Sequence, residues 1–183
     1  MKFYIAVLAL TGLLCSGCTK DEHDSKHIAM EQNKTIMTDD NKSDIRFVVA
    51  AADGGLMEVK TAQLAQSQGR SAQVISFAKQ MEQDHTDLNN QLKGLASQQS
   101  ITLPTTLSAK AQGAYDDLAQ KQGADFDKAY MDMMVDDHKK DIEHFEKEAS
   151  EGTMAPVKQW ASASLPTLRH HLEMAEQTQS SVK

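Results

Sequence analysis

Apolar residues recur along most of this chain at alternating steps of three and four, the period that lines one face of an α-helix. From residue 71 to about 98, Val74, Ala78, Met81, Leu88, Leu92 and Leu95 form one such series, and its missing central member is His85. From about residue 125 to 151, Met131, Val135, Ile142, Phe145 and Ala149 form a second, with His138 in the vacant central place. The pattern predicts two long amphipathic helices, each with a histidine in the middle of its buried stripe. Residues 43–68 predict another long helix, with Ser43 as N-cap candidate and Gly69 as its stop. A fourth is predicted from about 153 to 179, opening near Thr153 and Pro156. Pro166 falls inside it, where the ring removes the hydrogen bond to the Ser162 carbonyl, so a kink or break is expected. His171 fits a stripe with Val157, Ala161, Ser164, Leu168 and Ala175, while Leu165, Leu168, Leu172 and Ala175 set a competing register.

Between the second and third long helices, Ile101-Thr102-Leu103-Pro104 reads as an extended break, followed by a short helical stretch over about 108–122. This connection is longer than the two to eight residues usual between antiparallel neighbours in a bundle. The expected architecture is all-α: a four-helix bundle over residues 43–180, with a long crossover containing an extra short helix. Few β-branched residues and many Ala, Gln, Leu, Lys and Met agree with it.

The N-terminus has a different texture. Lys2 precedes the apolar run from Phe3 to Leu10 and then Leu13-Leu14-Cys15-Ser16-Gly17-Cys18, too short to span a membrane and laid out as a secretory signal over residues 1–17. Ser16 and Gly17 before Cys18 resemble the lipobox of bacterial lipoproteins, which implies lipidation of Cys18. Cys15 stands where that motif usually has Leu, and plain signal-peptide cleavage is the other route. The expectation is an exported, periplasm-facing lipoprotein, with Thr19 favouring the outer membrane and the lipid anchor making the membrane a partner. Residues 18–42 read as the lipidated N-terminus and a flexible polar tether.

Only Cys15 and Cys18 are present, so an exported domain would be held by its core without disulfides. The net charge of −7, without a basic stripe, argues against nucleic acid as a partner. No glycine-rich phosphate loop and no nucleophile in a strand-turn-helix setting occurs, so no catalytic motif assigns an enzyme activity.

The candidate chemistry lies in the two mid-stripe histidines. Burying an unpaired imidazole costs a few kcal/mol unless its nitrogens find partners. One reading is a pair of core histidines satisfied by carboxylates such as Glu58 or Asp141. The other is a shared metal site with Glu58, Glu82, His85, His138, Asp141 and His171 as ligand candidates, suited to a divalent transition metal: Zn, Fe, Mn or Cu. Residues three apart on a helix, as in Glu82-x-x-His85 and His138-x-x-Asp141, point into one cavity in ferritin-like carboxylate sites. A di-iron oxidase is disfavoured because the fourth helix has no Glu-x-x-His. Met81 and Met134, each four before a histidine, read as core filling or as soft ligands for Cu(I). Asp84 and Asp137 read as a solvated face or as groups that orient a ligating histidine.

Four segments together resemble a known family: residues 47–59 (FVVAAADGGLMEV), Phe77-Ala78-Lys79-Gln80-Met81 with Asp84-His85, residues 126–131 (FDKAYM) with Asp137-His138, and residues 165–172 (LPTLRHHL). The chain is similar over about residues 45–178 to domain of unknown function 4142, a ferritin-like bacterial family. That resemblance implies an exported helical bundle, commonly labelled a putative outer-membrane protein or lipoprotein, and no established activity. Two functions stay open: a metal-binding envelope protein, or a non-enzymatic scaffold or interaction module that engages an envelope protein partner and whose polar core merely fixes helix register.

Overall fold

The computed structural model describes residues 24–182. The leader, Cys18 and the first part of the expected tether lie outside the described residues. Within them the chain is all-helical: α1 (Ser25–Asn33), α2 (Lys42–Gln68), α3 (Ala72–Gln98), α4 (Ala109–Ala119), α5 (Gly123–Glu151) and α6 (Ala155–Ser181). The four long helices match the sequence expectation to within a few residues, and α4 is the short helix of the crossover. None of the described helices is long and apolar enough to cross a membrane.

Two helical hairpins make the bundle. The α2/α3 pair and the α5/α6 pair each pack closely, while α3 against α6 and α2 against α5 join them more lightly. One apolar cluster, with Phe77, Met81, Phe126, Tyr130, Met131 and Met134, fills one end. Another, with Ile45, Val48, Val49, Leu92 and Val157, fills the opposite end, and Phe145, Ala161, Leu165 and Leu168 make a third between α5 and α6. The buried methionines therefore serve as core filling, packed among aromatic and aliphatic groups. Between the end clusters lies a polar layer: Glu58 on α2, His85 on α3, His138 on α5 and His171 on α6 are all buried.

The tether expectation is corrected over residues 24–42. Ser25–Asn33 form α1, which docks on the bundle with Ala29 and Asn33 buried. The Asn33 amide donates to the Thr102 carbonyl at 2.8 Å and its oxygen accepts from Thr102 N–H at 2.7 Å, pinning α1 to the extended break. Asp24 caps α1 by accepting from His27 N–H and also accepts from Ala109 N–H at the start of α4. A polar composition concealed this helix because it brings only Ala29 and Met30 to the apolar end cluster and is otherwise tied by side chain to backbone bonds.

Buried aspartates on the long helices act as caps for other elements. Asp127 on α5 accepts from the backbone of Arg70 and Ser71 where α3 begins. Asp53 on α2 accepts from Ser108 N–H and Oγ at the start of α4, and Asp44 accepts from Thr153 and Met154 at the start of α6. Each satisfies orphan donors at a helix N-terminus and favours that end of the dipole. Gly55 lies against the Asn89 side chain of α3: a Cβ there would lie 2.0 Å from Asn89 Oδ1, so any larger residue would have to displace that amide. The helix α6 runs without interruption through Pro166, so the expected break does not occur. Val157, Ala161, Ser164, Leu165, Leu168, His171 and Ala175 are buried, so the first series faces inward together with Leu165 of the second, and His170 lies on the exposed side.

Candidate metal centre

The three mid-stripe histidines converge. His85 Nε2 lies 3.2 Å from His171 Nδ1, and His138 Nε2 lies 3.4 Å from the same atom. Among the described residues these three alone form a group of potential ligands, with one nitrogen from each lying within 4.8 Å of the others. Each long helix places its residue by the same rule: mid-stripe positions of a bundle project toward the common axis.

The second nitrogen of each ring decides the proton inventory. His138 Nδ1 is 2.9 Å from the Met134 carbonyl, which can only accept, so Nδ1 carries the proton and Nε2 presents a lone pair. His171 Nε2 is 2.9 Å from Asp84 Oδ2. Partial burial of Asp84 works against its ionisation, but hydrogen bonds from Gln80 and His171 outweigh it and hold the carboxyl below its usual range. Asp84 is therefore an acceptor, which puts the His171 proton on Nε2 and the lone pair on Nδ1. His85 Nδ1 is 2.8 Å from Glu58 Oε2. With Glu58 ionised, His85 donates from Nδ1 and turns a third lone pair toward the other two.

Burial pushes all three imidazoles down to about 4. They are neutral near pH 7, the form that binds a metal. Burial also raises the Glu58 carboxyl to about 7, with Asp137 adding to the effect and His138 opposing it. The short Glu58–His85 contact is consequently not an ion pair at neutral pH. It is a neutral imidazole against either a carboxylate or a carboxylic acid. In the acid form, Glu58 donates to His85 Nδ1 and His85 Nε2–H donates to His171 Nδ1, which leaves only His138 Nε2 unsatisfied. Glu58 Oε1 is buried without a hydrogen-bond partner and lies 3.7 Å from His138 Nε2.

A tetrahedral site with metal–nitrogen bonds of about 2.0–2.1 Å has nitrogen–nitrogen edges of about 3.3–3.4 Å. The observed 3.2 and 3.4 Å edges fit that figure. The Nδ1-to-carbonyl and imidazole-to-carboxylate contacts behind the trio are the usual means of fixing a ligand's tautomer. Three neutral imidazoles without thiolate favour a transition metal over Mg or Ca.

The six ligand candidates thus separate. His85, His138 and His171 meet. Glu58 stands behind His85 as its orienting carboxylate and outside the convergent trio. Asp141, half-buried, lines a small cavity with Glu58 and His85, and burial together with Glu58 and Asp137 raises its carboxyl well above the usual range. Glu82 does not join: its oxygens accept from the Gln63 and Gln66 amides of α2 at 2.7 and 2.6 Å. Three residues along a helix is about 60° short of a full turn, enough to put Glu82 at the stripe's edge, within reach of α2. Asp84 does orient a histidine of the trio, His171 on another helix rather than its neighbour His85. Asp137 instead pairs with Lys140 at 3.5 Å. The carbonyl of Met134 went unread as a partner of His138, although its spacing of four is the ordinary helical one.

The family described as "Domain of unknown function (DUF4142)" matches residues 29–178. Comparison with curated proteins and with solved structures found no match.

Proposed function

The chain belongs to the DUF4142 family, whose description assigns no activity, and from the geometry of its core we propose that it binds a divalent transition metal ion through His85 Nε2, His138 Nε2 and His171 Nδ1. The single observation that carries this reading is the convergence of three buried imidazole nitrogens, with the protons of His138 and His171 committed to outward partners and that of His85 held outward when Glu58 is ionised. Without a cation, the ionised form of Glu58 leaves three lone pairs facing one another in a buried layer, and the acid form leaves His138 Nε2 unsatisfied. Such a cost is sustained when something occupies the centre.

On this reading Glu58 and Asp84 hold His85 and His171 in the ligating tautomer, and the Met134 carbonyl does so for His138. When Glu58 starts as the acid, cation binding expels its proton, because His85 Nε2 must give up its hydrogen. Three nitrogens leave one tetrahedral position for water or a further oxygen ligand. The leader pattern and Cys18 support placing this domain at the cell envelope, exported and lipid-anchored, with roles such as buffering or handing on metal rather than an assigned catalytic step.

The test is titration of wild type and the His85→Ala/His138→Ala double variant with Zn2+ and Co2+. Wild type is expected to bind one ion tightly and the variant to lose that binding. Equal weak binding by both would sink the proposal and leave a hydrogen-bonded polar core that fixes register.

A further inference from the structure

The two hairpins pack lightly along the α2–α5 seam, where α2 presents the small residues Ala50, Ala51 and Gly54. Two cavities lie along it. The outer one is an open cleft of about 510 Å³ floored by Phe47, Ala50, Ala51 and Phe145. The inner one, about 30 Å³, reaches Gly54, Glu58 and His85. Ala51, Asp141 and Phe145 line both.

We propose that the α2–α5 cleft is the route by which a hydrated divalent cation reaches the three histidines, with Asp141 as the carboxylate that carries it through the neck. This rests on the metal-binding reading and adds to it a path and a residue that acts in transit.

The inner chamber has room for about one water, so an arriving cation must shed most of its hydration shell at the neck. Desolvation there is costly unless oxygen ligands replace the water. Asp141 stands at that point with no hydrogen-bond or ion-pair partner among the described residues, so its oxygens are free to do so. Beyond it Glu58 lines the chamber, and its Oε1 is buried without a hydrogen-bond partner. Asp141, Glu58 and His138 then form a sequence of donors of decreasing exposure along the seam. Burial first, and then the neighbouring Glu58 and Asp137 carboxyls, raise the Asp141 carboxyl to about 8, so an arriving cation displaces its proton to solvent as it takes the oxygens. On the α3–α6 side a surface cavity of about 430 Å³ ends at Asp84, whose carboxylate is bonded to His171 and stands between that cavity and the ring, and on the α2–α3 side Glu82 is held by α2 glutamines.

A residue on a route changes how fast an ion arrives and leaves, without changing where it rests. The experiment is stopped-flow loading of Co2+ and chelator-driven release, alongside equilibrium competition titration, on the folded chain. The variants are Asp141→Asn, Gly54→Leu and His138→Ala. A Cβ at Gly54 meets nothing within 4 Å, and leucine favours the helix, so this variant narrows the chamber without strain at its root. Both Asp141→Asn and Gly54→Leu are expected to slow loading and release together by about tenfold, with the equilibrium constant kept within about threefold. His138→Ala is expected to lose equilibrium binding instead. Wild-type loading rates in both seam variants would overturn the route while leaving the histidine site standing. A fall in affinity of Asp141→Asn as large as its fall in loading rate would overturn the transit role and make Asp141 a ligand. Failure of wild type to bind Co2+ at all would overturn both readings.

Discussion

His171 is the residue on which the centre turns, since its Nδ1 faces both other histidines while its Nε2 is held by Asp84. A carboxylate behind a ligating imidazole fixes its tautomer and raises its basicity. Asp84→Asn removes the charge and lets the amide turn its N–H toward Nε2, which would move the ring proton onto the ligating nitrogen. Zn2+ affinity in a competition titration is expected to fall by about 10–100-fold, with the fold intact because Asp84 is partly exposed. An affinity unchanged from wild type would mean that Asp84 plays no part in the centre. His85 and His138 were legible from their stripes as inward residues, because a polar gap in an apolar series is a local signal. His171 was ambiguous between two registers, and Glu82 was misplaced, because a position at the stripe's edge is assigned by whichever neighbour competes for it. The Asp84–His171 pairing left no trace in the sequence, since its partners are 87 residues apart.

At the scale of elements, the ends of the helices are tied together by buried carboxyls. Glu148 near the end of α5 faces Asp44 near the start of α2, which in turn caps α6. Burial first, and then the Asp44 charge, raise the Glu148 carboxyl to about 7. Its ordinary unfolded value is 4.5. The folded protein therefore holds a proton that the unfolded chain releases over that interval. The stabilising contribution is complete below the unfolded value and declines as pH rises from about 4.5 through about 7. Glu148→Gln keeps the shape and the donor to Asp44 but cannot ionise. Relative to wild type it is expected to gain about 1–3 kcal/mol between pH 4 and pH 8, read from urea unfolding at each pH. A difference that stays flat across the range would refute the assignment. Titration of the histidines is common to both proteins and cancels in the comparison. The long helices were legible because propensity, caps and a 3.6-residue period all act within a few turns. The continuity of α6 through Pro166 and the existence of α1 were not, because packing and contacts from elsewhere in the chain override the local preference.

At the scale of the whole molecule, one ion would bridge α3, α5 and α6 and so join the two hairpins across their lighter seam. Binding to the native state alone stabilises it by about 2.7 kcal/mol when free metal is 100 times Kd. For a domain of this size that corresponds to a rise in Tm of roughly 5–10 °C. Differential scanning fluorimetry with added Zn2+ is expected to show it, and a chelator to reverse it; a Tm indifferent to both would favour the scaffold reading. The sequence by itself determined the helical class, the four long elements, the crossover helix and the inward faces of α3 and α5. Those are properties of residues three and four apart, and they survive any rigid shift of one helix against another. Which histidines meet, which nitrogen of each carries the proton and where a cleft stays open were decided only in the tertiary structure. They depend on how far each helix slides and rotates, which is set by packing summed over the whole interface, and tenths of an ångström separate a ligand set from three unrelated buried rings.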